Sequence, residues 1–235
     1  MEKLKAPVIL AAVVCMVSCA SVNGQKEAAF TDRHLGEIER VQQPDNRTCG
    51  AANVQMVMNH YFSESDDIYA IFKEISDVSS MGVLNNRTYK MGQYLEKNDL
   101  HVSIIRFTDL SAVLAYCENF QIPAIMNIQT TKNSSYGHYV LFVQFVKSEG
   151  MVRIRDPYDS SREWITLTDL KNNFVKVFPD SEVGGNVMIL ATDTEHQTRK
   201  YMCICGKVNQ VERELLQSIE GIFCTRCSIF RRCRG

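Results

Sequence analysis

No apolar run in this 235-residue chain reaches bilayer length. The twelve residues from Ala6 to Val17 are the longest such run, against the roughly 20 that a spanning helix needs. Charge of either sign is not in excess either. Lys and Arg number 26 and Asp and Glu 27, a net charge of −1, so the whole protein has no electrostatic bias toward nucleic acid and no such partner is expected. There is no internal repeat and no low-complexity segment. Cysteine is scarce where a stapled scaffold would need it. Only Cys49 and Cys117 fall between residues 20 and 200, so the body must be held by its core rather than by disulfides. With 45% hydrophobic and 23% charged residues, the composition fits one medium globular domain and a remainder.

The two ends differ in kind from the body. Lys3 and Lys5 precede the short apolar run, and Ser18, Cys19, Ala20 and Ser21 follow it. That is the layout of a signal peptide, residues 1–19, followed by an N-terminal linker, 20–39. Cleavage after Ala20 would use Ser18 and Ala20 as the small pair. "MVSC" also resembles a bacterial lipobox, the reading we favour, which makes Cys19 the lipidated first residue of the mature chain. Either way the body is expected outside the cytoplasm, in the periplasm or at the cell surface. One lipid anchor with no polybasic patch after it would tether the protein to a membrane without inserting it.

The body, residues 40–192, opens on "VQQPDNRTCGAANVQMVMNHYF". Val54, Val57, Met58 and Tyr61 recur at helical spacing, Asp45 and Asn46 form a turn, and Thr48 is the expected N-cap. Cys49 then lies in the first turn, where free N–H groups and the helix dipole favour a thiolate. The alternative is a small apolar core residue. Further helices are expected at "DDIYAIFKEIS" from Asp66, at "NNRTYKMGQYLEKN" with Thr88 as cap, and at "TDLSAVLAYCENF", where Cys117 faces the core. Strands are expected at 100–107, "IPAIMNIQ", "HYVLFVQFV", "MVRIRDP" and 186–192, with a short helix at "TDLKNNF". Helices first and a mostly antiparallel sheet after them describe an α+β domain with one core.

A nucleophilic cysteine needs a base, a partner that orients the base, and oxyanion donors. Of five histidines, His138 alone opens a strand, after a glycine that lets the backbone approach closely. Asp156 ends the next strand, on one face with Val152 and Ile154. A turn centred on residue 147 would set His138 and Asp156 side by side; a turn displaced by Gly150 would stagger them. Gln43, six residues before Cys49, can offer its amide to the oxyanion beside the Cys49 N–H.

"Q-x5-C-G-x-A", "G-H-Y-V-L-F" and "V-R-I-R-D-P", with "IPAIMNI" ahead of the histidine strand, resemble the papain-like cysteine peptidases. More narrowly they resemble the bacteriocin-processing, double-glycine leader peptidases and their free-standing relatives, over roughly residues 40 to 192. The resemblance implies Cys49 as nucleophile, His138 as base, Asp156 as its orienter and Gln43 as oxyanion donor. It implies peptide or protein substrates and no catalytic cofactor. Thr48 stands where that family often has an acidic residue. Other classes remain: a catalytically inactive papain-like domain that binds peptides, an amidase or transferase on the same scaffold, and a surface lipoprotein whose cysteine tail mediates assembly.

That tail follows a polar linker, 193–199. Residues 200–235 hold Cys203, Cys205, Cys224, Cys227 and Cys233. From Arg199 onward, eight Lys or Arg face three Glu, most simply a solvated basic face. "CICG" and "CTRC" resemble the two knuckles of a zinc ribbon, with Cys203, Cys205, Cys224 and Cys227 as ligands. Disulfides among the same four, leaving Cys233 over, are the alternative. Glycine after Cys205, and the strain of a Cys-x-Cys pair bridged to itself, point to zinc.

Overall fold

The computed structural model describes residues 33–62, 65–78, 82–129, 137–174 and 185–233. The expected signal segment, the lipidation site Cys19 and most of the linker that follows lie outside them. Helix α1 (Cys49–Tyr61) is buried nearly all round, with Ala51, Ala52, Asn53, Val54, Met56 and Val57 each at 0% exposure. The stripe expected from spacing is part of a wider apolar surface, because α1 runs through the centre of the core.

Helix α2 (Ile68–Ile75) is capped by Asp67, which accepts the Tyr69 N–H at 2.8 Å, one residue later than expected. A small hairpin, β1 (Ser76–Val78) and β2 (Leu84–Asn86), follows, and its short polar strands carry no alternation that sequence could report. In α3 (Thr88–Lys97) the cap position is Arg87, and Thr88 is the first helical residue. The Thr88 hydroxyl is hydrogen-bonded to the Tyr139 hydroxyl at 2.8 Å, a tertiary contact that replaces the local cap. After β3 (His101–Phe107) comes α4 (Leu110–Asn119), capped by Asp109, with Cys117 fully buried.

The remaining elements are β4 (Ala124–Gln129), β5 (Gly137–Val146), β6 (Met151–Arg155), β7 (Trp164–Thr166), α5 (Leu167–Asn173), β8 (Val187–Thr192), β9 (Thr198–Met202), β10 (Val208–Glu212), β11 (Ile219–Phe223) and β12 (Phe230–Arg232). Eight strands form one antiparallel sheet in the order β12-β11-β3-β8-β4-β5-β6-β7. Helices and sheet share one core, the α+β arrangement the element order implies. Among the described residues no helix is long and apolar enough to cross a membrane.

The tail does not fold apart from the body. Strand β11 pairs with β3, and Val211, Leu215, Ile222 and Phe223 join the common core. Stretch 193–199 already enters β9 at Thr198. Residues 193–197 are a mostly exposed connection without strand pairing, as composition suggested, and only Thr198 and Arg199 of the stretch enter the strand. Arg106 of β3 lies over the rings of Phe223 and Phe230, at 5.0 and 4.6 Å, and fastens this edge further.

Candidate active site

The loop before α1 is held by one carbonyl. The Asp45 oxygen accepts from Gln43 Nε2 at 2.7 Å, from the Thr48 hydroxyl at 3.0 Å and from the Thr48 N–H at 3.3 Å. Thr48 therefore closes a turn with its side chain and makes no side-chain cap to the helix it precedes. The turn delivers Cys49 as the first residue of α1, buried at 7% exposure. Gly50 follows because Asn86 fills the space beside it. An added Cβ would lie 2.8 Å from Asn86 Cγ, and the Asn86 amide donates to the Arg47 carbonyl just before the nucleophile turn.

His138 is the second residue of β5. Gly137 before it stands so close to Asn127 that an added Cβ would lie 2.2 Å from Asn127 Oδ1, the close approach expected of that glycine. Residues 147–150 turn β5 into β6, with Gly150 at φ +64°. That four-residue turn displaces the register expected from a midpoint at 147. Val146 faces Met151, and a bulge between Phe142 and Gln144 then brings Leu141 opposite Arg155. Extending this register by one residue sets Asp156 level with Val140. His138 and Asp156 share a face but are staggered, and the carboxylate spans the offset.

Three of the expected site residues meet. His138 Nε2 lies 2.7 Å from Asp156 Oδ1, which leaves Nδ1 for the Cys49 sulfur beside the ring. Asp156 Oδ1 accepts the Tyr158 N–H at 2.9 Å and the Asp159 N–H at 3.2 Å. Burial alone would raise the Asp156 pKa. The hydrogen bond and charge of His138, with those two N–H groups, outweigh it and hold the carboxyl below its ordinary value. Burial would likewise depress His138, but its bond to Asp156 and the nearby Cys49 sulfur prevail and raise it to about 9. An imidazolium held by a carboxylate is the state this environment favours.

Gln43 is buried, and its backbone N–H donates to the Pro157 carbonyl at 3.0 Å, tying the loop to the residue after Asp156. One amide hydrogen of its side chain is used on Asp45 and the second is left over. Its Oε1 is buried without a hydrogen-bond partner.

Asn53 is a positioning residue that sequence reasoning missed. It is fully buried, and Nδ2 donates to the Cys49 carbonyl at 2.7 Å and to the Tyr139 carbonyl at 2.8 Å. One amide thus joins the first turn of α1, which carries Cys49, to the strand residue after His138. The signal was there: a polar side chain one turn beyond Cys49, on the same helical face as Val57.

Among the described residues no other histidine is paired with Cys49. His60 is depressed to about 4 by burial, His101 Nδ1 lies 3.1 Å from Gln210 Nε2, and His196 packs against the Phe120 ring. Burial pushes the Cys117 thiol far up, so it is an inert core group. Cys203, Cys205, Cys224 and Cys227 cluster in the tail, where they could hold a metal ion.

Residues 36–182 match the model of the Peptidase_C39 like family, a stretch that contains Gln43, Cys49, His138 and Asp156. The fold is similar to that of the peptidase domain of Streptococcus ComA, a bi-functional ABC transporter involved in a quorum-sensing pathway. Identity there is 18% and the TM-score 0.50, over 67% of this chain and 99% of that one. It is also similar to a C39-like peptidase from Bacillus anthracis, at 14% identity and a TM-score of 0.52, over 68% of this chain and 97% of that one. No curated protein matches the chain. With a family match across more than half its length, on a papain-like arrangement of helices and antiparallel sheet, the chain belongs to the Peptidase_C39 like family.

Proposed function

We propose that the protein is an exported cysteine peptidase in which Cys49, His138, Asp156 and Gln43 form the reacting site. The observation that carries this is His138, buried, hydrogen-bonded to Asp156 at 2.7 Å and with the Cys49 thiol close enough to its ring to raise its pKa. The Cys49 thiolate would attack a peptide carbonyl carbon, forming an S–C bond while the oxygen takes the negative charge. The Gln43 amide and the Cys49 N–H would stabilise that oxygen. As the C–N bond breaks, His138 gives its proton to the leaving amine. Water then attacks the thioester, His138 takes a proton from it, and the carboxylate product leaves as the thiolate re-forms.

No cofactor enters this chemistry, and zinc on the tail cysteines would be structural. Substrates are peptides or proteins. The signal-like residues 1–19 support export, and Cys19 as a lipidated first residue supports a membrane tether.

The pH profile tests the assignment. His138 is raised from 6.5 to about 9 in the folded protein. Its contribution to stability is therefore fully present below 6.5 and lost as pH rises through about 9. Hydrolysis is expected to fall along the same alkaline limb, because the imidazolium that protonates the leaving amine is lost. Asp156→Asn should keep the fold, lose part of the rate and move the limb to lower pH. A limb that stays in place in Asp156→Asn would contradict the orienting role.

A further inference from the structure

We propose that Cys203, Cys205, Cys224 and Cys227 hold one Zn²⁺ in a closed four-thiolate site, and that this ion staples the β9–β10 hairpin to the peptidase sheet. The inference is independent of the peptidase reading.

The size of the cluster fits the ion. All four sulfurs lie within 4.8 Å of one another, with Cys203 and Cys227 at 3.5 Å and Cys205 and Cys224 at 3.6 Å. A tetrahedron with Zn–S bonds of about 2.3 Å has edges of roughly 3.8 Å. Small movements of the side chains therefore complete the shell.

The backbone is arranged to receive thiolates. Each sulfur has a backbone N–H partner two residues on: Cys205 for Cys203, Lys207 for Cys205, Arg226 for Cys224 and Ile229 for Cys227. Arg226 N lies 3.4 Å from Cys224 Sγ. Such donors stabilise negative sulfur. Both knuckles are tight turns. Gly206, at φ +84°, donates to the Cys203 carbonyl at 2.9 Å, and the Ser228 N–H donates to the Cys224 carbonyl at 2.9 Å. Four protein ligands leave no open position, so the site is structural rather than catalytic. The basic tail offsets the negative charge of a zinc tetrathiolate.

The topology shows what the ion would hold. Cys203 and Cys205 lie at the β9–β10 turn, whereas Cys224 and Cys227 lie at the β11–β12 turn. Strand β11 belongs to the eight-stranded sheet, but β9 and β10 form a sheet of their own. The second knuckle is already docked on α3. The Thr225 hydroxyl donates to Glu96 at 3.0 Å, and Gln93 donates to the Arg226 carbonyl at 3.1 Å. The metal would extend that anchorage to the first knuckle.

Elemental analysis and native mass measurement of the purified mature chain are expected to give about one zinc per chain. A chelator should remove it and speed amide exchange in 203–208 and 224–229, while reductant alone leaves both unchanged. Cys205→Ser should lower zinc content at least about tenfold, since a lost thiolate removes a quarter of the shell. Cys233→Ser, outside the cluster, should keep the metal and reports on the site if Cys205→Ser fails to fold. Iron as the bound metal, or a metal-free chain two hydrogens lighter for each cysteine pair, would overturn the assignment. Zinc loss without faster exchange would overturn the staple.

Discussion

Cys49→Ala is expected to remove peptide hydrolysis, a loss on the order of 10⁵–10⁶ in kcat, since removing the nucleophile of such a site leaves only binding and oxyanion contacts. The fold should survive. Alanine keeps the Cβ, sits well in the first turn of a helix, and removes only one sulfur from a residue that is buried at 7% exposure. His138 would keep its 2.7 Å bond to Asp156 but lose the sulfur that helps raise its pKa. An unfolding midpoint close to wild type, with no turnover, is the expected pair of results. Turnover within tenfold of wild type would place the nucleophile elsewhere.

Gln43→Ala is the second large effect. Removing one oxyanion donor typically costs about 10²–10³ in kcat. The substitution should leave the loop in place, because the Asp45 carbonyl still accepts from the Thr48 N–H and hydroxyl, and the Gln43 N–H still reaches Pro157. The thiolate itself should be little changed, so a small alkylating reagent should modify Cys49 at a near-normal rate. Slow hydrolysis with normal alkylation identifies a donor that acts on the developing oxyanion. Unchanged turnover would take Gln43 out of the site.

The candidate site was legible in the sequence because three of its members sit at the ends of regular elements. Cys49 opens a helix, His138 follows a glycine into a strand, and Asp156 terminates one. Such positions are punctuated by turn residues, which sequence reports well. The offset between His138 and Asp156 was less legible. It depends on a four-residue turn and a one-residue bulge, both of which leave the alternation of Val152, Ile154 and Asp156 intact. The caps failed for a related reason. Thr48 and Thr88 are good N-cap residues, but here their hydroxyls have other partners, the Asp45 carbonyl and the Tyr139 hydroxyl.

The tail shows where composition misleads. Its cysteines and basic residues suggested a separate module, yet Val211, Leu215 and Phe223 are spaced too widely to announce a shared core. The pairing of β11 with β3 joins residues more than a hundred positions apart. No local pattern reports such a partner.

The central claim, that His138 and Asp156 make Cys49 the reactive thiol, is tested most directly by site-resolved labelling with a peptide-based electrophile at neutral pH. The account predicts one fast adduct, mapped by mass to Cys49, its rate falling sharply in His138→Ala. Cys117 should stay unmodified, since it is fully buried and its thiol is pushed far up. An adduct that forms first on another cysteine, or a Cys49 rate that His138→Ala leaves unchanged, would contradict it.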